Sequence, residues 1–207
     1  MARSLSAQWH ELSRPGDGGR PDALIVLLFE EGRTSEAQDL AAQWAPSIPH
    51  CAFAGLELDL TARWLDLVFL RVVLLEAAAR HGLQSGQVVL VGAGPAAEVA
   101  IDLGLLGVVP GAAVITLDLP LEPTAAIVAP ARASVRMVQR STLEDPQGAR
   151  FHAIVEALKR EHVDVRSQLV PELDTGAGRA MQRAAGAFLA ELAAKASRLA
   201  PIARSWP

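Results

Sequence analysis

The residues most suited to chemistry lie in one turn, Val88-Val-Leu-Val-Gly-Ala-Gly-Pro-Ala-Ala-Glu-Val-Ala100. Its order is apolar strand, glycine-rich turn, helix, and two kinds of chemistry use such a turn. In the first, Gly-x-Ser-x-Gly, small flanking residues permit a strained strand-to-helix turn that lifts a nucleophilic serine out of the sheet. On that pattern Gly92 and Ala96 keep the small positions, and Gly94 stands where the serine would be. Glycine holds the strained conformation without penalty but has no group to attack with. In the second, Gly92-x-Gly94-x-x-Ala97 has the spacing of a dinucleotide fingerprint, which brings a pyrophosphate to a helix N-terminus. Asp118, ending the next strand, would then hold a ribose hydroxyl, later than the usual ~20 residues. Locally the turn looks much like a flavin-binding loop.

Other polar residues offer candidates of both kinds. Asp145, before Pro146, is an acid or a helix N-cap, and the cap is the simpler reading. Asp118 more simply begins a turn, Asp-Leu-Pro. Glu30 and Glu31 follow a strand, where they would face a cleft or solvent. The five histidines are His10, His50, His81, His152 and His162. His81 and His162 suit helix ends, His152 a helix interior and His10 a polar arm. His50 sits at the start of a strand, away from the site. No metal-binding spacing occurs, and Cys51 reads as a buried structural thiol. Trp9, Trp44, Trp64 and Trp206 are scattered and read as packing or surface anchors.

These candidates need a scaffold. Apolar runs predict strands at Ala23–Phe29, Cys51–Leu58, Gln87–Val91, Ala112–Asp118, Ser134–Gln139 and Val163–Val170. Helices are expected at Ser35–Trp44 with Thr34 or Ser35 as N-cap, at Leu60–His81 closed by Gly82, and at Pro95–Leu106. Two more are expected at Gln147–His162 and Thr175–Ala196, with a proline-broken loop over Leu119–Arg132. Strands apolar on both faces that alternate with helices imply a doubly wound, mostly parallel sheet of about six or seven strands, with helices on both faces. Ligands of such sheets bind beyond the C-terminal strand ends. A fingerprint loop normally follows the first strand of its fold, whereas two strand–helix units precede this turn.

Composition narrows the classes. The 207 residues suit one large domain at 21–198, with an arm or short leading strand in 1–20 and a tail at 199–207. A net charge of −4 argues against nucleic-acid binding. The Leu65–Ala79 run, interrupted by Arg71 and Glu76, is too short for a membrane span, and no polybasic stretch suits an anionic membrane. With no signal-like apolar stretch in Met1–Arg20, the expected compartment is the cytoplasm.

From Asp22 to Leu192 the chain resembles the phospholipase/carboxylesterase family of α/β-hydrolases, which includes acyl-protein thioesterases. The family's first strand ends Leu-His-Gly-x-Gly. Here Val26-Leu-Leu-Phe-Glu-Glu-Gly32 occupies that place, with Phe29 for the histidine and Glu30 for a glycine that shapes the oxyanion hole. Helix Glu36–Trp44, strand Cys51–Leu58 and Arg80-His-Gly-Leu-Gln-Ser-Gly-Gln-Val-Val-Leu-Val-Gly92 follow as in the family. Asp145-Pro146 matches the family's acid, in a register uncertain by about two residues. The family's histidine falls in Val170–Gly176, where Thr175 is the nearest match and Asp174 the next, and no histidine follows Val163.

The resemblance implies an α/β-hydrolase fold whose nucleophile, base and oxyanion loop have changed. The triad positions are Gly94, Asp145 and Thr175, with pocket candidates Phe29, Glu30, Gly92, Ala93, Pro95, Asp118 and Asp174. The function expected is a non-catalytic binding or interaction module without cofactor or metal. A small acyl or anionic ligand in the cleft and a homodimer, the latter implied by the family, are its expected partners. The alternatives are a dinucleotide or flavin binder using Gly92, Gly94 and Ala97, and an esterase with a displaced nucleophile.

Overall fold

Ala23–Glu30 is apolar at every position but the last and forms strand β2, buried on both faces. The same logic builds β3 (Cys51–Leu58), β4 (Val88–Ala93) and β5 (Ala113–Leu117). In the computed structural model, residues 7–15, 19–61, 66–120, 133–142, 144–171 and 176–198 are described. Their remaining strands are β1 (Ala7–Ser13), β6 (Ser134–Arg140) and β7 (Asp164–Val170). The seven strands lie in the order β1-β3-β2-β4-β5-β6-β7. All neighbours are parallel except β1, which runs antiparallel to β3.

Helices cover both faces. The core on one side joins α1 (Thr34–Trp44) and α5 (Ala177–Ser197). The other joins α2 (Leu67–Arg80), α3 (Pro95–Leu105) and α4 (Pro146–Arg160). Trp44 locks the first pair, since its Nε1 donates to the Gln182 carbonyl at 3.1 Å. The chain leaves β2 toward β3 on one side and returns to β4 on the other. The switch point therefore lies between the C-terminal ends of β2 and β4, where such sheets place ligands.

Several expectations need correction. Within the first 20 residues, Ala7–Ser13 is the edge strand β1, so the strand alternative holds there. The helix expected at Leu60–His81 begins at Leu67, because the Asp66 carboxylate caps it by accepting from the Phe69 N–H at 3.0 Å. Before it, Asp59 accepts from both the N–H and the hydroxyl of Thr61, a turn that competes with helix. Thr34 is no N-cap, since Arg33 holds that place and the Thr34 hydroxyl donates to Glu57. Strand β7 is an edge strand with several exposed residues, not one apolar on both faces. Arg136 lies in β6 at 1% exposure and pairs with Glu191 at 2.8 Å and Asp164 at 3.2 Å, tying α5 to β6 and β7.

Candidate functional site

The turn after β4 is a strand-to-helix elbow. Gly94 sits at φ 56° and ψ −131°, and α3 begins at the next residue. Its N–H donates to the Leu117 carbonyl at 2.8 Å, and its carbonyl accepts from the Ala97 N–H at 2.9 Å. Gly92 is required by packing: a Cβ there would lie 2.4 Å from the Ala96 carbonyl oxygen. A Cβ on Gly94 would meet nothing within 4 Å. The elbow thus keeps its shape and the room for a side chain, without the side chain.

Pro95 has a further consequence. In serine hydrolases of this geometry, the N–H of the residue after the nucleophile is one half of the oxyanion hole. Proline has no N–H. The other half comes from the loop following the neighbouring strand, here the β2–α1 loop. Its amides are spent internally. Glu31 donates to the Leu58 carbonyl at 3.1 Å, Gly32 to Glu57 Oε1 at 2.7 Å, and Arg33 to the Glu30 carbonyl at 3.1 Å.

Glu57 organises this loop, and sequence reasoning missed it. Besides Gly32, it accepts from the Thr34 hydroxyl at 3.3 Å and pairs with His10 Nε2 at 2.8 Å. The Gly32 N–H foremost, against the effect of burial and helped by His10 and Thr34, holds its carboxyl below the usual range. A single carboxylate in the apolar run Cys51–Leu58 was the available signal. Phe29 is buried, with its ring 5.9 Å from that of His10. Glu30 faces Arg33 at 3.6 Å, so its charge is answered locally. Between Phe29, Glu30, Gly92, Ala93 and Leu117 the described residues enclose only about 50 Å³. That is far below the roughly 300–1,000 Å³ of small-molecule sites.

The remaining candidates are dispersed. Asp145 caps α4, accepting from the Gly148 N–H at 2.6 Å. It also accepts from the Ser141 hydroxyl at 2.6 Å and the Thr142 N–H at 2.8 Å. Ser141 foremost, then the two amides, hold its carboxyl well below the usual range. Asp118, at φ 48°, accepts from the Arg140 N–H at 2.9 Å and pairs with the Arg140 guanidinium. Asp174 and Thr175 lie outside the described residues. His10 is held by Glu57, and His50, His81 and His162 lie at turns or helix ends away from the elbow, while His152 is exposed on α4. No group of acids, histidines or cysteines among the described residues could hold a metal.

Strand order, crossovers and elbow together define the α/β-hydrolase fold. No protein-family model matches the sequence, and no curated protein matches it either. Solved structures do match in fold. Esterase PE8 aligns at a TM-score of 0.66 and 21% identity, over 91% of this chain and 99% of that one. A phospholipase/carboxylesterase from Dyadobacter fermentans DSM 18053 aligns at 0.63 and 12% identity, over 91% and 98%. Thermogutta terrifontis esterase 2, in a form phosphoramylated by tabun, aligns at 0.64 and 13% identity, over 91% and 89%. At these identities the shared property is the fold.

Proposed function

We propose that this α/β-hydrolase-fold protein performs no serine-hydrolase chemistry and acts as a binding or interaction module. One observation carries the reading: both oxyanion donors are missing beside a glycine elbow. Gly94 offers no nucleophile, Pro95 no N–H, and the β2–α1 loop amides are committed to Leu58, Glu57 and Glu30. An oxyanion donor alone is worth about 10²–10³ in kcat, so the losses compound.

The same amides weaken the dinucleotide alternative. The Gly94 N–H is engaged by Leu117 and the Ala97 N–H by Gly94, which leaves little for a pyrophosphate. For a displaced nucleophile, Ser141 and Ser134 are two of the hydroxyls beside an acid, but Ser141 is buried and donates to Asp145, and Ser134 donates to Asp164 at the opposite end of its strand from the elbow. No helix among the described residues is long and apolar enough to cross a membrane.

Treatment with a fluorophosphonate, followed by intact mass, tests the reading. An unmodified mass supports it. A stoichiometric adduct would establish an activated nucleophile elsewhere, and peptide mapping would identify it. Under this reading a protein partner, a second copy of the chain included, is the alternative to a cleft ligand. Size-exclusion chromatography with light scattering distinguishes monomer from dimer.

A further inference from the structure

A cavity of about 530 Å³ lies at the opposite end of the sheet from the elbow. Its walls come from the end of β1, the entry to β2 and the end of α2. Three arginines line it, Arg14, Arg20 and Arg80, together with His81. Glu11 is the single carboxylate in that described lining. Trp9, Pro15 and Pro21 supply apolar wall.

The cations differ in how far they are neutralised. Arg14 is engaged by Glu11 through Nε at 2.5 Å and Nη2 at 3.0 Å. Arg80 reaches Glu76 only at 3.5 Å. Arg20 donates to the Gly82 carbonyl at the end of α2, and among the described residues no carboxylate pairs with it. A guanidinium held by one N–H keeps others free to fork onto an oxyanion.

We infer that this cavity binds a phosphate monoester, with the phosphoryl group on Arg20 and Arg80 and an attached ring against Trp9. Among the described lining residues, three arginines against Glu11 leave a net two positive charges. A phosphate monoester carries about −1.5 to −2 at pH 7 and matches it. The volume falls within the roughly 300–1,000 Å³ of small-molecule sites, while the elbow's 50 Å³ does not. The site stands independently of the reading proposed for the elbow.

Calorimetric titration of the full chain with adenosine monophosphate and with inorganic phosphate, at low salt, tests this. Adenosine monophosphate should bind at one site, more tightly than phosphate, and binding should weaken as salt rises. Arg20→Gln and Arg80→Glu should each weaken it at least about tenfold, roughly 1.4 kcal/mol. Trp9→Ala should bring adenosine monophosphate down to the affinity of phosphate. Arg80 is exposed at a helix end, so Arg80→Glu keeps the test valid if Arg20→Gln unfolds. Gly94→Ala should leave binding unchanged. No binding of either probe up to about 10 mM, near the weakest range worth recording, would overturn the assignment. Binding that ignores Arg80→Glu would overturn it equally.

Discussion

A Cβ on Gly92 would stand 2.4 Å from the carbonyl oxygen of Ala96 and 2.7 Å from the Cα of Ala97. These are backbone atoms of α3, which cannot swing aside as a side chain can. Gly92→Ala should therefore cost about 3 kcal/mol or more, at the upper end of overpacking effects. The melting temperature should fall by roughly 6–12 °C at about 2–4 °C per kcal/mol. Gly94→Ala has free space and pays only for its positive φ, about 1–3 kcal/mol. If Gly94→Ala proved the costlier variant by thermal denaturation, the packing account of the elbow would be wrong.

On the proposed reading, a serine at position 94 should not by itself confer hydrolysis. Gly94→Ser has room for its side chain, so the fold should survive with a loss of about 1–3 kcal/mol. The serine would still lack both oxyanion donors. Release of p-nitrophenol from a short acyl ester should stay at the level of the parent protein. A rise of about 10³-fold or more, comparable with one recovered oxyanion donor, would show that other groups supply the missing donors.

Glu57 should control order in the β2–α1 loop. Glu57→Ala removes the acceptor of the Gly32 N–H and the partner of His10, a loss of about 1–3 kcal/mol. Glu57→Gln keeps an acceptor for Gly32 and loses the carboxylate's charge. Hydrogen exchange at the Gly32 amide should accelerate strongly in Glu57→Ala and weakly in Glu57→Gln. Equal protection in both variants would assign the loop's order to other contacts.

Arg136 separates charge from volume. It is fully buried, while its partners Glu191 and Asp164 are partly exposed. Arg136→Ala loses packing and strips the Asp164 and Val135 carbonyls of a donor, at a cost of about 3–5 kcal/mol. Arg136→Met also strips those carbonyls but retains much of the volume and lets both carboxylates rehydrate, so it should cost less, about 1–3 kcal/mol. Urea denaturation of both variants measures the difference. Equal losses would mean that the charge, not the volume, holds β6 to α5.

Acid should destabilise the fold through Asp145 and Asp164. Burial opposes ionisation of Asp164, but Lys195, Arg136 and Ser134 outweigh it and bring its pKa down to about 2. Asp145 is likewise lowered, by Ser141, Thr142 and Gly148. Both native carboxyls release their protons more readily than unfolded ones, so the unfolded chain binds more protons at low pH. Their contribution is complete above the unfolded value of about 3.9 and is lost as pH falls toward about 2. Urea midpoints between about pH 5 and pH 2.5 should show that decline, and Asp145→Asn should reduce its slope while keeping an N-cap. An unchanged slope would place the acid sensitivity elsewhere.

Much of this was legible in the residues. Val88–Val91 and Ala23–Phe29 are apolar on both faces and short, as strands of a covered parallel sheet are. Asp145 before Pro146 and Gly82 after Arg80 carry local cap chemistry and stand at the expected helix ends. Ala7–Ser13 was ambiguous because an edge strand is only half buried and shows a weak pattern. The start of α2 was misplaced because two aspartates compete nearby for backbone amides, and the inner one, Asp66, sets the boundary.

The sequence by itself determined the α/β class, the elbow at Gly92–Gly94, and the absence of a serine there or of any histidine after Val163. These depend on residue type and local period, which neighbouring residues carry. Tertiary structure decided where the amides go: Gly94 to Leu117, Gly32 to Glu57, Glu31 to Leu58. It also decided that Trp9, Arg20 and Arg80 share one cavity. Both follow from strand order and register, which bring distant segments within hydrogen-bonding reach, and no local stretch of chain encodes that proximity.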